Sequence, residues 1–139
     1  MLRGEGADAE VLLLRRAVGA FAGAWTFVMG GVEEGERATD AARRELFEET
    51  GLSLTTLFTA GELDAFYDPV RDRIVHVPFF VARAGEGECV LEADVHDEHR
   101  WVSFADATDL LEFASHRRAL EEIRRDFVAR APQPWRTIR

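Results

Sequence analysis

Residues 30–52 read GGVEEGERATDAARRELFEETGL and fill every position of one pattern, G-x5-E-x7-R-E-U-x-E-E-x-G-U, where U is aliphatic. Seven of those positions are fixed to one residue type and two to an aliphatic class, so a given window matches by chance about once in 10⁹. No other stretch of the chain constrains the fold as tightly, because this one specifies a loop, a helix and its stop. From Thr39, a candidate N-cap, DAARRELFEET is rich in Ala, Arg, Glu and Leu and free of Gly and Pro, which predicts a helix. Gly51 supplies the C-terminal stop.

At 3.6 residues per turn, Glu45, Glu48 and Glu49 are related by steps of three and four and project from one face. Like charges at that spacing repel by a few tenths of a kcal/mol per pair, so the stripe asks for a cation. All-oxygen ligands without His or Cys suit Mg²⁺, or Mn²⁺, rather than zinc. An ordinary solvated helix face would also carry glutamates; the whole pattern, not the three acids, favours metal. Arg44 stands one turn before Glu48, positioned to orient that carboxylate by an ion pair. Ala41, Ala42 and Leu46 lie on the opposite face and suit packing against a sheet.

This pattern is the signature of the Nudix hydrolases, which cleave nucleoside diphosphates linked to another group, and the chain resembles that family across residues 30–52. The resemblance implies an α/β/α sandwich with a mixed β-sheet and a catalytic loop-helix-loop. It implies that Glu48 and Glu49 hold a divalent metal and that Glu45 is a further ligand or the base that activates water. A backbone carbonyl at or just before Gly30 would complete the coordination, and Glu36 would support loop and helix through Arg44. Coupled carboxylates titrate as a set, so the sequence leaves the base unassigned.

The rest of the chain fits around that helix. With 139 residues it is expected to form one domain over 1–139, burying roughly two thirds of the surface the unfolded chain exposes. A net charge of −9 argues against nucleic acid and against an anionic membrane as partners, leaving a small-molecule nucleotide. That substrate is itself anionic, and residues 30–52 hold seven acids against three arginines, so metal is the natural bridge to phosphate. The chain has no lysine, which excludes a Walker-type phosphate loop, and its single cysteine, Cys89, excludes an internal disulfide or a thiolate metal site. No charged-then-apolar leader and no apolar run of about 18 residues is present, so the cytoplasm is the expected location.

Strands are expected at 10–16 (EVLLLRR), at 25–29, near 54–67 and 73–83 with a turn at 68–72, and at 100–104; helices are expected at 106–113 and 116–130. The family has a full strand ahead of the GEGADAE turn, and here that strand is short or missing. Arg15 and Arg16 lie where the family often presents an arginine to substrate phosphates. Trp25 reads as core, while Phe21 and Tyr67 are candidates to stack on a base. Residues 95–101, VHDEHRW, resemble the E-H-x-x-x-x-W stretch of members acting on nucleoside or dihydroneopterin triphosphates, with Val95 in place of the glutamate and His116 in place of a usual asparagine. A loop acid here would add a ligand or the base, and Glu98 is the candidate, ahead of Asp97; His96 and His99 receive no metal role. The seven arginines from residue 116 onward could steer an anion, but an amphipathic helix with Leu120, Ile123 and Phe127 inward accounts for them more simply. The expected activity is Mg²⁺-dependent cleavage of a triphosphate to monophosphate and pyrophosphate. Sugar nucleotides and dinucleoside polyphosphates are alternative substrates, a catalytically silent nucleotide-sensing module is the alternative class, and a homodimer is one assembly open to the chain, since dimers are frequent in the family it resembles; the sequence itself leaves the oligomeric state unassigned.

Overall fold

A computed structural model describes residues 1–92 and 94–139. The run Val11–Leu14 is apolar without interruption, and such a run belongs to a strand covered on both faces. It forms the middle of β2 (Glu10–Arg16), where all four residues are buried. One edge of β2 pairs antiparallel with β6 (His96–Ser103). Its other edge is shared end to end by β1 (Leu2–Arg3) and β3 (Trp25–Thr26). The expected short first strand is thus two residues long, yet it joins the sheet's halves, because Leu2 also pairs parallel with Arg83 of β5 (Arg73–Ala84). β5 forms a long antiparallel hairpin with β4 (Leu54–Asp68), and β7 (Thr137–Ile138) pairs with β4 on its far side. The sheet is therefore mixed.

Helices cover both faces. On one, α2 (Phe104–Leu110) and α3 (Ala114–Ile123) bring Ala107, Leu120 and Ile123 into a core with Val11, Leu13, Trp25 and Val81. On the other, α1 (Ala38–Thr50) inserts Leu46 among Leu57 and Ala82, and Leu52 just beyond it meets Leu12 and Leu14. Alternation along β2 settles the sides: Val11 and Leu13 point to α2 and α3, Leu12 and Leu14 to α1. The α/β/α sandwich is the observed architecture.

Several boundaries differ from expectation for local reasons. Thr39 does not cap α1; Arg37 precedes it, and the Arg37 carbonyl accepts from Asp40 and Ala41 N–H at 2.9 and 3.0 Å. Gly51 ends the helix as expected, at φ 66°, donating to the Phe47 carbonyl. The strand at 25–29 stops at Thr26. The strand at 100–104 starts earlier, at His96, and ends at Ser103, whose hydroxyl accepts from Asp106 N–H and starts α2 one residue later. The last helix begins at Ala114 and opens into a π-helical turn at Arg124–Val128. Among the described residues no helix is long and apolar enough to cross a membrane.

Candidate active site

Arg44, one turn into the exposed side of α1, is shared by three carboxylates. Its Nε and one Nη donate to the two oxygens of Glu36, each at 2.9 Å, and the other Nη donates to Glu45 at 2.8 Å and Glu48 at 2.9 Å. A further bond reaches the Gly31 carbonyl at 2.9 Å, and Glu36 accepts from the Glu33 N–H at 2.9 Å. Arginine's planar fork allows this division. Glu36 is held below the usual carboxylate range by Arg44 first and by the Glu33 N–H second, and the Arg44 guanidinium is raised by the same bonds. The expected Arg44–Glu48 pair is present, and Glu36 does tie the glycine loop to the helix.

Glu49 behaves differently. It is 5% exposed, and its Oε2 is buried without a partner. Burial, then the Glu45 charge, pushes its pKa up to about 7, against the pull of the Met29 N–H and Arg16. Gly30 lies against Glu45 so closely that a β-carbon there would run into the carboxyl group, which explains glycine at that position. An unpartnered buried oxygen, a carboxylate pressed on a glycine backbone and an all-oxygen donor set fit a hard divalent cation. As they stand, no three Asp, Glu, His or Cys side chains among the described residues converge on one point, since Glu48 is turned to Arg44. Glu48, with its side chain 51% exposed, is the carboxylate free to swing.

Gly30, Glu45 and Arg16 line one cleft of about 660 Å³ between the loop after β3 and the outer edge of β5. Arg16 therefore joins the site, and its Nε is buried without a partner. Arg15 does not. It faces α2 and α3, bonding Asp97 at 2.7 Å and Glu98 at 3.0 Å and standing 6.0 Å from the Trp25 ring. Glu98 is likewise no loop acid: it pairs with Arg15 across β2 and β6, is bound by Arg100 at 2.6 Å, and lies on the face away from α1. Phe21 packs edge-on to Phe113 at 5.0 Å, and the Tyr67 hydroxyl bonds Asp72 at 2.8 Å near the hairpin tip; neither lines the cleft. Trp25 is core, as read.

Three residues carry more weight than their sequence context suggested. Glu92 donates its N–H to the Glu49 carbonyl at 3.3 Å, and its charge helps raise the Glu49 pKa. The turn that delivers it is closed by Val95 and His96 N–H donating to its carbonyl. His96 is 1% exposed and 4.0 Å from Glu49; burial and Arg16 hold it below its ordinary pKa. His116 lines the cleft, stacks on Phe27 at 4.9 Å and is lowered to about 4 by burial.

A NUDIX domain model matches residues 1–127. The chain belongs to the Nudix family. It is 45% identical over 53 residues to an RNA pyrophosphohydrolase of Bartonella bacilliformis, covering 38% of this chain and 31% of that protein, so the chain spans about a third of this relative's length. A MutT NUDIX hydrolase of Burkholderia pseudomallei superposes with a TM-score of 0.70 at 27% identity, covering 86% of this chain and 92% of that one. The dihydroneopterin triphosphate pyrophosphohydrolase of E. coli gives 0.67 at 26% identity, covering 90% of each. Nudix proteins generally use divalent metal ions.

Proposed function

We propose that this Nudix chain is a Mg²⁺-dependent pyrophosphohydrolase, with Mn²⁺ as a substitute, acting on a nucleoside triphosphate or a related triphosphate to give a monophosphate and pyrophosphate. The observation that carries the reading is the buried, unpartnered oxygen of Glu49, whose charge is coupled to that of Glu45, with Glu45 and Gly30 in turn lining a cleft open to ligand. A silent binding module has no need to keep such a carboxylate uncompensated, because a buried acid without a partner costs stability.

Glu45, Glu48 and Glu49, with the Gly30 carbonyl, would hold the metal, which when bound neutralises phosphate oxygens and lowers the pKa of water. Water adds to phosphorus as a bridging P–O bond breaks, and the leaving pyrophosphate keeps the bonding electrons. The water's proton passes to a carboxylate, Glu45 in first place; Glu92 replaces Glu98 as the loop acid within electrostatic reach. Arg16 meets a substrate phosphate at the cleft. The likeness to the E. coli triphosphate enzyme, at 26% identity over 90% of both chains, is in keeping with a triphosphate substrate. The reading includes one domain over 1–139, a cytoplasmic setting and a small-molecule partner, for which the net charge of −9 speaks. It also includes a homodimer, for which exposed Leu63, Tyr67 and Ile74 on one face of the β4–β5 hairpin offer an apolar surface.

The test is release of pyrophosphate or phosphate from a broad nucleotide panel with Mg²⁺, comparing wild type with Glu48→Gln. Turnover of a triphosphate that falls about 10²–10³-fold in the variant supports the proposal. Tight binding of one nucleotide with no hydrolysis on the whole panel makes the chain a sensing module instead.

A further inference from the structure

His96 stands out among the side chains that the proposed reaction leaves unused. It sits at the start of β6, opposite Arg16 of β2, where a register shift between Arg15 and Arg16 turns it toward α1. Only 1% of it is exposed, and its Nδ1 is buried with no hydrogen-bond partner. The nearest carboxylate oxygen is Glu49 Oε1 at 4.0 Å, and Glu49 Oε2 is buried and unpartnered too. His96 Nδ1 thus stands 4.0 Å from one oxygen of Glu49, just beyond hydrogen-bonding range, while Nδ1 itself and the other oxygen are buried without partners, an arrangement that a core does not tolerate freely. A small rotation of the Glu49 side chain closes the gap.

We propose that His96 is the positioning residue of Glu49: its Nδ1–H takes hold of one carboxylate oxygen from inside the fold and aims the other at the cleft, where a divalent cation binds. Ligating groups depend on such outer hydrogen bonds for direction, and losing one typically weakens metal affinity about 10–100-fold. The Met29 N–H, in the glycine loop, acts on the Glu49 charge and pulls its pKa down. His96 would hold the carboxylate from the side of the sheet. Arg16 sits across the ladder, and its charge acts on both groups. This inference rests on the proposed metal-dependent reading.

The experiment is Mn²⁺ binding to the full chain by electron paramagnetic resonance, without nucleotide, for wild type, His96→Leu, His96→Asn and the same changes on a Glu49→Gln background. Asparagine places its amide N–H close to where Nδ1 stands; leucine fills the space with no donor. His96→Leu should bind Mn²⁺ about 10–100-fold more weakly, His96→Asn should recover most of that, and on Glu49→Gln neither change should weaken binding further. Thermal unfolding in EDTA separates this from a packing defect. His96→Leu binding Mn²⁺ like wild type overturns the inference, as do Leu and Asn losing affinity equally in step with stability. If wild type itself binds no Mn²⁺, the metal-dependent reading falls and this inference with it, a result distinct from wild-type binding that ignores residue 96.

Discussion

Two hubs of opposite sign sit in this molecule. In α1, one arginine, Arg44, is divided among Glu36, Glu45 and Glu48. Just past α3, one aspartate, Asp126, is divided among Arg125, Arg130 and Arg136. The first leaves surplus negative charge, and it leaves Glu48 half exposed and Glu49 beside it with one buried oxygen that has no hydrogen-bond partner. The second is closed: Asp126 is 4% exposed, its carboxyl is lowered to about 2 by Arg125 and then Arg130, and Arg136 continues to the carbonyls of Thr59 and Ala60 on β4. An ion-pair hub whose central carboxylate is matched by several arginines fastens chain segments together. One that leaves a buried oxygen unsatisfied is prepared for a ligand. Three of the arginines near the C-terminus are thus engaged by Asp126, and one of them, Arg136, ties the last segment to β4.

The sharpest way to break this contrast is to neutralise one member of each hub. Glu49→Gln should cut turnover about 10²–10³-fold while leaving the fold intact, because it removes the charge of a proposed metal ligand whose buried oxygen no protein group hydrogen-bonds. Asp126→Asn should do the reverse: kcat/KM within about twofold, but a melting temperature lower by about 5–10 °C, as three arginines lose their common partner. Steady-state kinetics and calorimetry on both variants decide it. Equal loss of activity in the two would mean that the C-terminal hub belongs to the site.

The hubs should also answer pH with opposite signs in metal-free protein. Glu49, raised to about 7 from 4.5, contributes stability that is fully present below pH 4.5 and is lost as pH rises to about 7, because the unfolded chain ionises first. The loss is about 2 kcal/mol after allowing for screening. Asp126, lowered to about 2 from 3.8, contributes stability that is present above pH 3.8 and is lost as pH falls through about 2. Urea unfolding in EDTA between pH 4.5 and 8 should therefore show a decline that Glu49→Gln flattens and Asp126→Asn does not. An unchanged slope in Glu49→Gln would place the raised carboxyl elsewhere.

How far the sequence could be read follows from how local each cause is. Val11–Leu14, the hairpin around 68–72 and Gly51 declare themselves through adjacent residues, and β2, β4, β5 and the end of α1 fall where periodicity and turn chemistry put them. So do Glu36, Arg44, Glu45, Glu48 and Glu49, because one helix and the loop before it set their spacing. What failed depended on distant partners. Ser103 stops its strand to cap α2. Arg15 and Arg16 are adjacent, yet the pleat sends one to Trp25 and the other to the cleft, and only knowledge of which face α1 covers decides between them. The hub around Asp126 joins residues that read as an ordinary amphipathic helix and tail.

The loop acid gives the smallest predicted effect and the finest discrimination. In the sequence Glu98 and Glu92 are two acids of one polar stretch, EADVHDEH, with nothing to rank Glu92 first. In the fold, Glu98 is neutralised by Arg15 and Arg100 on the face opposite α1, whereas Glu92 stands by Glu49 with a charge that Glu49 registers. Glu98→Gln should then leave turnover within about twofold of wild type and cost about 0–1 kcal/mol of stability, as half-exposed ion pairs do. Glu92→Gln should lower turnover by about tenfold or more, in the range of a lost acid–base or outer ligand group. It should also bring the Glu49 carboxyl back toward its ordinary range, seen as a shallower stability decline between pH 4.5 and 7. If Glu98→Gln is the more damaging of the two, the strand that carries it must leave β2 during the reaction, since no other movement brings that side chain to the acids of α1.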